Sequence, residues 1–332
     1  MARARGAYAG RRDLRRRRMV VLGGAIAALA MAPGAQAETA DFLARYPAPN
    51  RDASFLTRMA VDRVAGADGA QLAFAIEEAL DRADIDGTRY FTVISGASRY
   101  RGGEAPSADG VITGTVATDV EENEVKRKVR KCVEREGGTR EGKCLKEADV
   151  DTLCRQRIVA VDVTLRLTRV SDDVVVYRTA RPERAELSWC PGERPERTVE
   201  DMIGAQIASH AAAFRHDIAP YAVRESIRYR EGRSKMPKEI GQRFRAAVLV
   251  SERDPYAACA AWRGIDAELP GHPSIAFNLA LCAEAAGALD DALRAYQRAA
   301  DIDPRAGDIR AGIDRVTRRI AFEADADRYP AR

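Results

Sequence analysis

Cysteine is the residue type in this 332-residue sequence whose number and spacing most directly suggest chemistry. The six cysteines are Cys132, Cys144, Cys154, Cys190, Cys259 and Cys282. No C-x-x-C pair is present, and the three histidines lie far along the chain from the first three cysteines, which disfavours a zinc site. We therefore expect no metal site, and we expect disulfide bonds with Cys132–Cys144 and Cys154–Cys190 as the preferred pairs. The last two cysteines either form a third disulfide or pack as two buried thiols.

Histidine is the second candidate for chemistry, because its ring can transfer protons near neutral pH. His210 and His216 are six residues apart, next to Asp217, and this spacing does not place them on one face of a helix. The sequence has no glycine-rich phosphate loop, no G-x-S-x-G motif and no H-E-x-x-H motif. We therefore expect no catalytic residue and no cofactor. The alternative hypothesis is an envelope enzyme that acts on a glycan or peptide through these residues.

Residues 1–37 have the composition of a cleaved export signal. The cationic stretch RRDLRRRR precedes the apolar stretch MVVLGGAIAALAM, and small residues follow at Ala35 and Ala37. No later segment has the roughly 20 apolar residues of a spanning helix, so we expect no stable transmembrane span in the mature chain. The signal predicts export by the Sec or the Tat route and a soluble periplasmic protein after cleavage near Ala37.

The net charge changes sign when this segment is removed. The whole chain has a formal charge of +4, but residues 1–37 hold eight arginines and one acid, Asp13. The remainder has 46 basic and 49 acidic residues, a formal charge of −3. An acidic mature chain disfavours nucleic acid as a partner.

The middle of the chain has the pattern of an α+β domain, with a mixed or antiparallel sheet and packed helices, over residues 41–230. Helical spacing of apolar residues predicts helices at 71–85 and 198–217, and alternation predicts strands at 90–95 and 110–118 and a hairpin at 157–180. Residues 121–157 form a charged, cysteine-bearing insertion that would gain order from local crosslinks.

The phrases ALDRADI, YFTVIS, DGVITGTV and VAVDVTLRLTRVSDDVVVY, in this order, resemble the periplasmic domain of curli-secretion-channel-like proteins. The resemblance covers residues 69–180 and implies an envelope-type domain. It departs from that family in the cysteine-bearing stretch and in the absence of a lipidated cysteine. A soluble subunit of an outer-membrane export apparatus is therefore a further alternative.

The last hundred residues repeat with a period of 34, in the windows 239–272 and 273–306. The matched pairs are Ala246 with Ala280, Ala258 with Ala292, Trp262 with Tyr296, and Pro270 with Pro304. These windows resemble two tetratricopeptide repeats, which implies an all-α array of paired helices. Apolar residues at helical spacing after the second window predict a capping helix that ends the array at residue 322.

The tetratricopeptide resemblance also implies a concave groove for an extended peptide. It places Arg243, Phe277, Asn278 and Glu284 near that groove, with the amide of Asn278 on a peptide backbone and Arg243 near a carboxylate. We expect a non-enzymatic periplasmic protein that binds or assembles with a protein or peptide partner. The array could instead dock on its own first domain or on another copy of the chain.

Overall fold

The computed structural model describes residues 38–85, 87–94 and 108–329, so the predicted export signal lies outside the described residues. The chain from Glu38 to Arg332 groups into one compact unit. In the part of the chain that the structure describes, no helix is both long and apolar enough to cross a membrane. The fold is α+β, as the sequence predicts.

A five-stranded mixed sheet forms the first half of the unit, in the spatial order β5-β2-β6-β7-β8. Its strands are β2 Arg58–Ala65, β5 Thr92–Val93, β6 Gly110–Arg135, β7 Cys144–Arg169 and β8 Val175–Trp189. Strand β2 runs parallel to β5 and β6, whereas β6, β7 and β8 form an antiparallel meander. A short hairpin of β3 Asp84–Ile85 and β4 Thr88–Arg89 lies between β2 and β5 in the chain.

Two helices cover one face of this sheet, α2 Gly69–Asp81 and α3 Val199–Ile218, and a one-turn helix α1 Arg51–Ser54 precedes β2. The odd-numbered residues of β7 from Val159 to Leu167 are buried, because alternate side chains of a strand point to the same face. Helix α3 begins at a capping box in which Thr198 and Asp201 bond each other's backbone N–H.

The charged stretch 121–157 continues strands β6 and β7 and does not leave the sheet. Strand β8 pairs with β7 only from Arg155 onward, so residues 125–154 form a two-stranded hairpin that we call the arm. The Cys132–Cys144 disulfide lies at its tip, and the Cys154–Cys190 disulfide ties its base to the residue after β8. These are the pairs that the sequence favours.

The second half of the unit is a helical array in which each helix packs on the next. Its members are α4 Lys238–Ser251, α5 Pro255–Glu268, α6 Pro273–Ala285, α7 Leu289–Ile302 and α8 Gly307–Ala324. Pro255 and Pro273 occupy the first turns of α5 and α6, where a missing N–H costs nothing. The third disulfide, Cys259–Cys282, joins these two helices. The last two cysteines therefore form a disulfide and are not two buried thiols.

A two-stranded antiparallel ribbon packs into the core of the array. It consists of β1 Thr39–Tyr46 and β9 Tyr221–Arg228. Alternate residues of β1, among them Ala44 and Tyr46, are buried together with Trp262 and Tyr296 of the array. The ribbon therefore belongs to the hydrophobic core of the helices, although all of its residues except Thr39 and Ala40 lie within the 41–230 segment.

Candidate functional site

Asn278 binds a polypeptide backbone, and that backbone belongs to its own chain. Its side chain is fully buried on α6. Its Oδ1 accepts from the Arg230 N–H at 2.8 Å, and its Nδ2 donates to the Arg230 carbonyl at 3.0 Å. This is the contact that the tetratricopeptide resemblance implies for a bound peptide, made here to the residue that follows the β1–β9 ribbon.

The contact extends along the chain between β9 and α4. Ser274 Oγ donates to the Gly232 carbonyl at 2.7 Å, and His272 Nε2 lies 2.9 Å from the Ser234 carbonyl. Along this segment, successive residues contact residues progressively closer to the amino-terminal end of α6, so the segment and the helix run antiparallel. We call residues 229–236 the tethered segment, since it occupies the face of α6 that carries Asn278.

Phe277 lies under the same segment and is 1% exposed. Its ring is 5.8 Å from the ring of Tyr296, and the guanidinium of Arg230 sits 5.0 Å from its centroid. Arg230 also pairs with Asp303 and Asp308, and its hydrogen bond holds the pKa of the Asp308 carboxyl below its usual value. Phe277 is therefore a core residue whose exposed side is closed by a cation of the same chain.

Glu284 is buried at the junction of α6, α7 and α8. Its carboxylate accepts a forked pair of bonds from Arg315, one from Tyr296 Oη at 2.8 Å, and a longer one from Arg319 at 3.4 Å. Burial alone would lower the pKa of Arg315, but the hydrogen bonds and charge of Glu284 raise it above the ordinary value. The four side chains form a closed network, so Glu284 has no oxygen directed at a ligand.

Arg243 lies on α4 and is half exposed. Both of its terminal nitrogens donate to the carboxylate of Glu268 on α5, each at 2.7 Å. The carboxylate predicted to meet Arg243 is therefore supplied by the neighbouring helix. The four predicted peptide-binding residues are thus engaged within the chain, three of them in the interior.

An open groove lies elsewhere on the array, between α5, α6 and α7, with a volume of about 1060 Å³. Its floor includes the Cys259–Cys282 disulfide, Leu279 and Ala283, and Tyr256 at its rim is 81% exposed. Charges of both signs surround this apolar floor: Asp41, Arg263, Asp266, Asp291, Arg294, Arg298 and Asp301. The sequence analysis missed this groove, although two cysteines 23 residues apart on adjacent helices could have indicated which faces meet.

Tyr229 is one of the residues around the groove, but its hydroxyl oxygen is buried. The residue is 2% exposed, and its Oη has no hydrogen-bond partner among the described residues. Its ring lies 4.7 Å from the ring of Trp262. Burial raises the pKa of Tyr229 to about 12, so Oη keeps its proton at neutral pH and is an unused hydrogen-bond donor.

The histidines and Asp217, the candidates for acid–base chemistry, each contact different neighbours. His210 is buried, with Nε2 at 3.2 Å from the Val161 carbonyl. The ring of His216 lies 5.3 Å from that of Tyr221. Asp217 accepts from the Tyr177 hydroxyl and from Arg181. Within residues 38–85, 87–94 and 108–329, no three His, Cys, Asp or Glu side chains are grouped so that they could hold a metal ion.

No protein-family model matches this chain, and no curated protein is similar to it at a significant level.

Proposed function

We propose that this chain is a non-catalytic binding or assembly protein of the bacterial periplasm, and that it holds a polypeptide partner in the groove of α5, α6 and α7. The observation that carries the proposal is this open groove, with its apolar floor and its rim of both charge signs. An apolar side chain of the partner fits the floor, and charged side chains of the partner meet the rim.

The size and lining of the groove favour a polypeptide over a small metabolite. Small-molecule pockets have volumes of roughly 300 to 1,000 Å³ and enclose most of their ligand. This groove has about 1060 Å³ and opens along three helices, with an exposed aromatic ring, that of Tyr256, at its edge. Exposed aromatic side chains next to arginines are typical of the residues that dominate protein interfaces.

Two further observations support the proposal. The similarity of residues 239–306 to tetratricopeptide repeats favours a role in contact with other proteins. The three disulfides favour an oxidising compartment such as the periplasm.

The test is recovery of partners from a periplasmic extract with matched variants. Ala286→Arg places a long cation in the groove, and Ala260→Arg places one on an exposed position of α5 outside the lining. We expect a partner that the wild type and Ala260→Arg recover equally and that Ala286→Arg loses. Recovery of the same partners by all three proteins would exclude the groove as the binding site.

A further inference from the structure

Most of the outer edge of strand β6 has no neighbouring strand in the described part of the chain. Strand β2 pairs with β6 only from Gly110 to Thr115, and no other strand of the described chain pairs with that edge. Residues 119–131 are exposed, apart from two half-buried valines. Half of their backbone N–H and C=O groups point away from β7 and are therefore available to another strand.

The charges of this edge are arranged in two blocks. The acidic block is Asp119, Glu121, Glu122 and Glu124, and the basic block is Lys126, Arg127, Lys128, Arg130 and Lys131. Val125 stands between them. Glu124, Lys126 and Lys128 form no ion pair within the described chain, unlike Glu122, which pairs with Arg157 at 2.6 Å. A strand whose charge changes sign at its centre is complementary to a second copy that runs antiparallel to it.

One register satisfies the charges. With a two-fold axis through Val125, Glu124 faces Lys126, Glu122 faces Lys128 and Asp119 faces Lys131 of the other copy, and no like charges face each other. A shift of the axis by one residue places Glu124 or Lys126 opposite itself. An axis between two residues would pair outward-facing backbone groups with inward-facing ones, which an antiparallel ladder does not allow.

The ends of the free edge fit the same register. At one end the chain at Gly66 passes so close to β6 that a side chain there would lie 1.9 Å from the Val116 carbonyl oxygen, and Thr118 donates to Asp68. At the other end the regular pairing of β6 is interrupted by a bulge after Cys132. In the register about Val125, residue 118 faces residue 132. Regular pairing of one copy therefore ends after Cys132, opposite the residues of the other copy whose edge is covered by its own chain.

We propose that two copies of this protein pair through the outer edges of β6, residues 119–131, and form a two-fold symmetric dimer with a continuous sheet. The paired segment is about 43 Å long. The paired residues are not among those that line the α5–α7 groove, so each dimer would present two grooves to partners. It does not depend on the function proposed for the groove.

The test exchanges the charges. Lys126→Glu with Lys128→Glu makes the segment acidic, and Glu122→Lys with Glu124→Lys makes it basic, so like charges meet in either homodimer. We expect the wild type to be a dimer in sedimentation experiments at micromolar concentration. Each variant should dimerise at least about 100-fold more weakly, since four attractive pairs become repulsive. An equimolar mixture of the two variants should form a one-to-one heterodimer.

Lys143→Glu with Lys146→Glu, at the tip of the arm beyond the paired segment, is the matched control and should dimerise like the wild type. Hydrogen exchange of the wild type is a second measurement, and it does not depend on whether a variant folds. Those amides of residues 119–131 that point away from β7 should exchange more slowly at high protein concentration than at low concentration. A wild type that stays monomeric at about 100 µM, variants that dimerise as it does, or a mixture of folded variants without heterodimer would each overturn the proposal.

Discussion

Replacing Glu284 by glutamine isolates the charge of the buried network in the helical array. The substitution keeps the shape of the side chain but removes the negative charge that faces Arg315 and Arg319, whose side chains are only 12% and 10% exposed. Removing one partner of a buried ion pair costs about 3 to 5 kcal/mol, because the remaining charge stays buried without a counter-ion. The amide still accepts a hydrogen bond, so we expect a loss near the lower end, about 3 kcal/mol.

The assay is urea unfolding of the oxidised protein, with thermal unfolding as a second measurement. For a cooperative unit of about 300 residues, a loss of 3 kcal/mol corresponds to a decrease in Tm of about 5 °C. Asp291→Asn is the control. It neutralises the carboxylate of an exposed pair with Arg294, whose two side chains are 67% and 68% exposed, and should change the free energy of unfolding by less than about 0.5 kcal/mol.

A cost below about 1 kcal/mol for Glu284→Gln would refute the reasoning, because the two arginines would then be compensated without the carboxylate. A double-mutant cycle with Arg315→Met gives an independent check. If the two residues act as a pair, the double variant should be less destabilised than the sum of the single variants. Additive losses would show that the pair is not coupled.

Three further variants test other contacts. Asn278→Ala leaves the backbone of the tethered segment without its two partners and should lower the free energy of unfolding by about 1 to 3 kcal/mol in urea; a neutral result would show that water replaces the amide. Gly312→Ala puts a methyl group 2.6 Å from ring carbons of Tyr296 and should cost about 1 to 3 kcal/mol, whereas an unchanged Tm would mean that α8 shifts freely. Replacing Cys132 and Cys144 by serine removes a disulfide whose two cysteines both lie in the arm. Trypsin should therefore cleave the arm of the variant faster than that of the wild type, while the Tm of the core stays within about 2 °C. Equal cleavage rates would contradict this account.

Much of the fold follows from local patterns in the sequence. Helices α2 and α3 and the β7–β8 hairpin have clear helical or alternating periodicity, and the structure contains them. The arm was not recognised as strand, because charged residues occupy both faces of β6 and hide the alternation. The sequence does not predict that β1 pairs with β9, because the paired residues, such as Thr39 and Arg228, are far apart in the chain.

The candidate site was less accessible to sequence reasoning. The tetratricopeptide resemblance indicated that Asn278 contacts a backbone, but the identity of that backbone depends on where the chain goes after β9. The repeat pattern does not encode the position of α8, so the sequence alone places Glu284 near a groove. In the structure its partner is Arg315, which is 31 residues further along the chain. The groove between α5 and α7 arises from the packing of three helices, and no short motif records it.

The tethered segment has a consequence for any ligand that would bind the face of α6 that carries Asn278. Since it is part of the same polypeptide, its local concentration at Asn278 is on the order of millimolar, and that concentration does not fall on dilution. A free peptide present at micromolar levels would have to bind roughly a thousandfold more tightly to replace it. The chain thus carries a built-in competitor for that face of α6.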